Sequence, residues 1–177
     1  MYTGYYQWEF GALKISADLM GIRKIEFCRE EEARSEESSD QHGYDLFLEA
    51  CGQLDLYFQG KLKEFDLPLK PEGTPFQKKV WRALTAIPYG ETKSYKEIAE
   101  MAGNAKACRA VGMANNRNPI AIVIPCHRVI GADGSMTGYG GGLHVKEWLL
   151  AFEKENDSKK TPEVADHGNY KNSGFNS

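Results

Sequence analysis

The 177-residue chain has no run approaching the roughly 18 consecutive apolar residues that a membrane helix needs, so no membrane span is expected. It is poor in cysteine. The four thiols, at 28, 51, 108 and 126, form no CxxC pair and no zinc-knuckle spacing. That spacing argues against a disulfide framework and a local metal clip, and no metal or other cofactor is expected. Met1-Tyr2-Thr3-Gly4-Tyr5-Tyr6-Gln7 lacks the basic-then-apolar pattern of a signal peptide, so a cytoplasmic location is expected. Net charge is also scarce, at −3, which by itself points to no nucleic-acid partner. What is present is 41% apolar and 27% charged residues, enough for a packed core over one or two domains.

The small net charge hides a split. Residues 1–68 carry 7 Lys/Arg against 14 Asp/Glu, residues 69–153 carry 11 against 7, and residues 154–177 carry 4 against 4. An acidic first unit and a mildly basic second one suggest different partners, with a weak pointer to nucleic acid in the second. Pro71, Gly73 and Pro75 mark the boundary, giving units at 1–70 and 71–155 and a polar, mobile tail over 156–177.

The first unit reads as an antiparallel meander of strands at 5–10, 13–17 and 21–27, turning at Gly11. Residues 30–40 are an acidic solvated loop. Leu46, Phe47, Ala50, Leu54 and Tyr57 recur at helical spacing in a helix over 44–58 that ends near Gly60. Residues 65–69 are a last short strand or the start of the linker.

In the second unit, Thr74-Pro75-Phe76-Gln77 is a capping box with proline at the first helical position, opening a helix to about Ala86. Ser94-Tyr95-Lys96-Glu97 is a second box, opening a short helix that ends before Gly103. Asn104 can cap a third helix to about Asn115, so the two short helices form a helix-turn-helix candidate. The apolar run 120–124 reads as a buried strand, Gly131-Ala132-Asp133-Gly134 as a hairpin-like turn, and 143–153 as a helix burying Val145, Trp148, Leu149 and Phe152.

Chemistry concentrates at Ile124-Pro125-Cys126-His127-Arg128-Val129. A thiolate is the reactive form of cysteine; cationic neighbours favour it, and a histidine in direct or one-water reach can take the proton. Neighbours on a strand face opposite ways, so Cys126 and His127 meet only through a bend or through water. An inert buried cysteine beside a structural histidine is the other reading.

Pro125-Cys126-His127-Arg128-Val129 stands with Arg109-Ala110-Val111-Gly112-Met113-Ala114, Asn118-Pro119, Tyr139-Gly140-Gly141-Gly142-Leu143 and Lys146-Glu147-Trp148-Leu149-Leu150. Together these blocks resemble the O6-alkylguanine-DNA alkyltransferase family, densely over 72–153 and more loosely through Leu56-Tyr57-Phe58-Gln59-Gly60. The resemblance implies an α/β (α+β) chain: an N-terminal RNase H-like domain and a C-terminal winged-helix DNA-binding domain. It implies a DNA repair reaction in which the cysteine takes the alkyl group from guanine O6, with O4-alkylthymine as an alternative lesion. The thioether formed has no easy leaving path, so each molecule acts once.

By the same resemblance Cys126 is the acceptor, His127 the base through a bridging water, and Glu153 the carboxylate that fixes the imidazole tautomer. Tyr95, following the cap Ser94, donates to the departing base, and Lys146 holds that phenol electrostatically. Pro125, Tyr139 and Gly140 belong to the substrate pocket, with the Gly140 backbone N–H as donor to O6; many relatives carry serine there. Arg109 fills the space of a flipped base. The small-residue third helix, with Ala110 and Gly112, enters the minor groove of a lesion-bearing duplex. Lys93, Lys106 and Arg117 are phosphate contacts, and Asn118 ties the recognition helix to the active-site strand. The protein is expected to act as a monomer. Two other classes remain: a non-catalytic lesion binder, although such relatives usually replace the acceptor cysteine, and a papain-like hydrolase, whose local cysteine signature is missing.

Overall fold

The computed structural model describes residues 1–29 and 39–158. Most of the acidic run and most of the tail lie outside the described residues.

Three strands, β1 (Tyr2–Trp8), β2 (Gly11–Asp18) and β3 (Gly21–Cys28), form an antiparallel meander in that order. Leu13 faces Phe27 and Ile15 faces Ile25 across β2 and β3. The first turn is Glu9-Phe10, one step before the expected glycine. Helix α1 (Gln41–Phe58) is N-capped by Asp40, whose carboxylate accepts from the Gly43 N–H at 2.9 Å. All five residues placed on its inner face by periodicity are buried, and they share one apolar cluster with Leu13, Ile15, Ile22 and Ile25 of the sheet.

The outer edge of β3 is not left open. The Ile22 N–H donates to Pro68 O (2.8 Å), the Lys70 N–H to Ile22 O (2.9 Å), the Ile25 N–H to Pro119 O (2.9 Å) and the Ala121 N–H to Ile25 O (2.9 Å). The linker and the segment leading to Cys126 thus pair with the sheet edge, which fixes both and satisfies exposed backbone groups. Gly21 allows this approach: its φ is +138°, and a Cβ there would lie 2.2 Å from the Pro68 carbonyl oxygen.

In the second unit α2 (Pro75–Thr85) and α3 (Tyr95–Met101) both open on complete capping boxes. Helix α4 (Cys108–Asn116) starts three residues later than Asn104 as its cap suggests. Asn104 instead closes a turn, its side chain accepting from the Lys106 N–H (3.2 Å) and its carbonyl from the Ala107 N–H (3.0 Å). This is the local competition that favours asparagine in turns. Helices α2, α3 and α4 pack together through Val80, Trp81, Leu84, Ile98, Val111 and Ala114. The expected hairpin-like turn after Val129 forms, with the Gly131 N–H donating to Ser135 O at 2.7 Å, while β5 (Val129–Ile130) pairs in parallel with β4 (Lys93–Ser94). Helix α5 (Leu143–Ser158) continues past 153, so the first residues assigned to the tail are helical.

The expected strand over 120–124 is absent. These residues are buried, as the apolar run implied, but they form a tight turn with the Ile124 N–H donating to Ile120 O (3.0 Å). Ile122 adopts φ +70°, a strained conformation for a β-branched residue. Such strain costs on the order of 1–3 kcal/mol and persists only where surrounding contacts over-determine it. Among the described residues, no helix is long and apolar enough to cross a membrane.

Candidate active site

Cys126 opens a single-turn 3₁₀ helix, Cys126–Arg128, rather than extending a strand. This is the bend that adjacent reactive residues require. Cys126, His127 and Arg128 are all buried, and the three side chains make different connections.

The sulfur accepts a hydrogen bond from the Asn118 amide at 3.1 Å. That amide also donates to Ile124 O (2.8 Å) and Ile120 O (3.3 Å), while its oxygen accepts from the Ile120 N–H (3.0 Å). Asn115 of α4 donates to the Cys126 carbonyl at 3.4 Å. Burial pushes the thiol pKa up; the Asn118 hydrogen bond and the Lys146 charge oppose this without cancelling it. The resting group is therefore a thiol that needs a base.

His127 Nε2 lies 2.7 Å from Glu153 Oε1, with both side chains fully buried. Burial would raise the Glu153 pKa, but His127 and Arg128 outweigh it and hold the carboxyl well below its usual range. An ionised carboxylate only accepts, so Nε2 carries the proton. Burial lowers the His127 pKa despite Glu153, leaving the ring neutral with a lone pair on Nδ1. Among the described residues Nδ1 has no hydrogen-bond partner.

The sequence suggests Arg128 as a cation favouring the thiolate. Its guanidinium instead turns to the carboxylate, with Nε at 2.8 Å from Glu153 Oε2, one terminal nitrogen at 2.9 Å from Oε1 and the other donating to Ile87 O at 2.7 Å. The cation that acts on the sulfur is Lys146. Lys146 is fully buried and donates to Val129 O (2.6 Å) and Thr137 O (3.1 Å). The Thr137 hydroxyl bonds the Tyr95 phenol at 2.7 Å. Lys146 thus reaches Tyr95 through Thr137, and not by direct contact.

A cavity of about 180 Å³ between the two units reaches Cys126. Asn118, Tyr139 and Gly140 line it from the second unit, Ile25, Glu26 and Phe27 from β3. Phe27 packs edge-on against Tyr139 at 5.4 Å. A Cβ at Gly141 would fall 3.1 Å from the Phe27 ring, whereas one at Gly140 would meet nothing within 4 Å. Pro125 is buried but stands apart from this cavity, lining another with Tyr89 and Arg128.

The remaining sequence candidates lie in α4, its flanks and the start of α3. Lys106, Arg109, Ala110 and Arg117 are exposed, and Gly112 is half-buried beside the Tyr95 ring. Ser94 spends its hydroxyl on the α3 cap, bonded to Glu97, and Lys93 pairs with Glu97 at 3.3 Å. Sequence reasoning missed Tyr57, Asn115, Thr137 and the β3 wall. Among the described residues, no three His, Cys, Asp or Glu side chains gather as a metal site.

Comparison with known proteins agrees with this layout. The model of the 6-O-methylguanine DNA methyltransferase ribonuclease-like domain matches residues 1–71, and that of its DNA binding domain matches residues 75–155. A methylated-DNA–protein-cysteine methyltransferase of Methanosarcina acetivorans is 50% identical over 153 residues, covering 86% of this chain and 98% of that protein. One of Mycolicibacterium paratuberculosis is 62% identical over 108 residues, covering 61% of this chain and 66% of that protein. The crystal structure of Mycobacterium tuberculosis OGT in complex with DNA superimposes with a TM-score of 0.78 at 44% identity, covering 88% of this chain and 94% of that chain.

Proposed function

This chain belongs to the 6-O-methylguanine DNA methyltransferase family, and we propose that it repairs DNA by moving the alkyl group of O6-alkylguanine onto Cys126. The observation that carries this reading is the buried relay beside the sulfur. Glu153 fixes the His127 proton on Nε2, which leaves Nδ1 as a base next to a thiol that burial keeps protonated. His127 Nδ1 takes the thiol proton through one water, and Glu153 stabilises the imidazolium.

The thiolate lone pair then attacks the alkyl carbon in line. A carbon–sulfur bond forms, the carbon–O6 bond breaks, and its electron pair returns to the base. Tyr95 donates to the guanine as it leaves, and the Gly140 N–H donates to O6. Tyr139 and the β3 residues wall the pocket. The product is a stable thioether, so the protein turns over once. O4-alkylthymine presents the same alkyl–oxygen bond and is the second candidate lesion.

The lesion lies inside the duplex, so the base must leave the stack. Helix α4 lies in the minor groove with its small residues, including Ala110 and Gly112, toward the DNA. Arg109, exposed near its start, fills the space left by the base. Lys93, Lys106 and Arg117 contact phosphates, Ser94 lies at the same surface, and a monomer binds each lesion. The domain boundary falls at 70/71.

The test is mass spectrometry of the tryptic peptides after incubation with duplex carrying O6-methylguanine. The peptide holding Cys126 should gain one methyl group in place of a hydrogen. No gain, or a gain at Cys28, Cys51 or Cys108, would overturn the proposal.

Unstacking costs a few kcal/mol, so Arg109→Ala should slow repair of duplex lesions by about tenfold or more while leaving attack on free O6-benzylguanine near the parent rate. Single-turnover rates on the two substrates check this, and equal losses would remove Arg109 from base extrusion.

A further inference from the structure

The relay described above is not confined to the second unit. Tyr57, near the end of α1, is fully buried and donates its phenol proton to Glu153 Oε1 at 2.6 Å. It lies 96 residues away in the chain. Its ring is held by Phe58, Phe65, Tyr89 and Phe152, with centroids 5.2–5.9 Å away. The hydroxyl therefore has little freedom to choose another partner.

The same carboxylate oxygen accepts from His127 Nε2 at 2.7 Å and from Arg128 at 2.9 Å. Three donors thus share one acceptor. Hydrogen bonds to one charged oxygen compete for the same negative charge, so removing one strengthens the others. We propose that Tyr57 is a positioning residue of the transfer reaction, through which the N-terminal unit holds Glu153 and limits the basicity of His127. This rests on the reading that His127 is the base.

Among the described residues, Arg128 of the 3₁₀ turn and Lys146 and Glu153 of α5 act on the imidazole, Cys126 adjoins it in the chain, and Tyr139 from the loop before α5 packs edge-on at 6.4 Å. Tyr89, from the segment after α2, and Tyr57, from the first unit, act on Glu153. Burial holds the Tyr57 pKa well above the phenol range, so it remains a neutral donor wherever the protein is folded.

The experiment titrates the His127 imidazole by NMR in the full chain, its resonance assigned with His127→Gln. In parallel it measures the single-turnover transfer rate to Cys126 against pH. Tyr57→Phe should raise the His127 midpoint, and the acid limb of the rate profile with it, by about 0.5–1 pH unit. The phenylalanine variant removes one hydroxyl and leaves the ring packing. As a second arm that keeps the hydroxyl, 3-fluorotyrosine at position 57 is a more acidic donor and should shift both readings the other way.

An unmoved midpoint and limb in either folded variant would overturn the proposal and reduce Tyr57 to a packing residue. Failure of the underlying reading has a different signature. The wild-type protein would then transfer no alkyl group, or His127→Gln would keep the wild-type pH profile, whatever the NMR midpoint does in the Tyr57 variants.

Discussion

Glu153→Gln is expected to be the most damaging single substitution in this protein. The carboxylate is fully buried and accepts from Tyr57, His127, Arg128 and the Gly90 N–H. Oε1 takes three donors and Oε2 takes two, so a carboxamide must turn its NH₂ toward groups that also donate, whichever way it is placed. It also leaves the Arg128 guanidinium, only 6% exposed, without a counter-charge. Removing one partner of a buried ion pair costs about 3–5 kcal/mol, and a midpoint loss on the order of 10 °C follows for a chain of this size.

Activity should fall further than stability. Without an anion on Nε2 the imidazole can settle into the wrong tautomer and its cation loses its stabiliser. Comparable losses in hydrogen-bonded triads run to roughly 10⁴-fold. Thermal unfolding and single-turnover transfer to O6-methylguanine duplex check the two effects, and a variant within tenfold of the parent rate would exclude Glu153 from the relay.

The sign of the pH dependence follows from the same carboxylate. Its folded pKa lies below the ordinary glutamate value, so its contribution is present above about pH 4.5 and is lost as pH falls toward the folded value. His127 acts in the same direction. Its folded pKa is lowered, so the unfolded chain binds the proton first as pH drops below about 6.5. The wild type should therefore lose stability steeply on acidification, whereas Glu153→Gln should start lower at pH 7 and fall less between pH 5 and 3. Urea unfolding across that range reads the difference directly.

What the residue string disclosed and what it concealed divide along a physical line. The two capping boxes were legible because Thr74 with Gln77, and Ser94 with Glu97, act over three residues. The inner face of α1 was legible because helical periodicity is also local. The turn over 120–124 was not. An apolar run reports burial, and these residues are buried, but the same pattern fits a strand or any other packed backbone. The positive φ of Ile122 opposes local preference and depends on the surrounding contacts. Asn104 misled in the other direction, since one side chain can serve a helix cap or a turn.

Within the site, His127 and Glu153 were paired by family resemblance, while the donors that complete the carboxylate shell were not. Arg128 was visible as a charge but its direction was not, because that depends on a helix beginning fifteen residues later. Tyr57 read as core, and correctly so. The overlooked signal was its hydroxyl, since a buried tyrosine usually finds a partner for that group.

Asn118 carries the second large effect, because one side chain serves both the backbone turn and the sulfur. Asn118→Ala removes the acceptor of the buried Ile120 N–H. An orphaned buried donor costs about 1–3 kcal/mol, and the strained Ile122 turn loses one of the contacts that hold it. The same change takes from Cys126 its one side-chain hydrogen-bond donor. Hydrogen bonds to charged groups contribute about 1.5–3 kcal/mol, so transfer near pH 7 should slow by roughly 10–100-fold. Part of that loss should return at higher pH, where the thiol ionises unaided.

Asn118→Asp tests the sulfur contact further. It keeps an oxygen for the Ile120 N–H but sets a second, charged one against the Ile120 and Ile124 carbonyls, so it should gain no stability over the alanine variant. It also places an acceptor with negative charge against the sulfur, so it should react more slowly still, by about 100-fold or more against wild type. Slower transfer by the aspartate variant than by the alanine variant is the expected result, read as single-turnover rates. If both variants transferred at the wild-type rate, the amide would serve the turn alone, and the thiolate would owe its stabilisation to Lys146 and the backbone of the 3₁₀ turn.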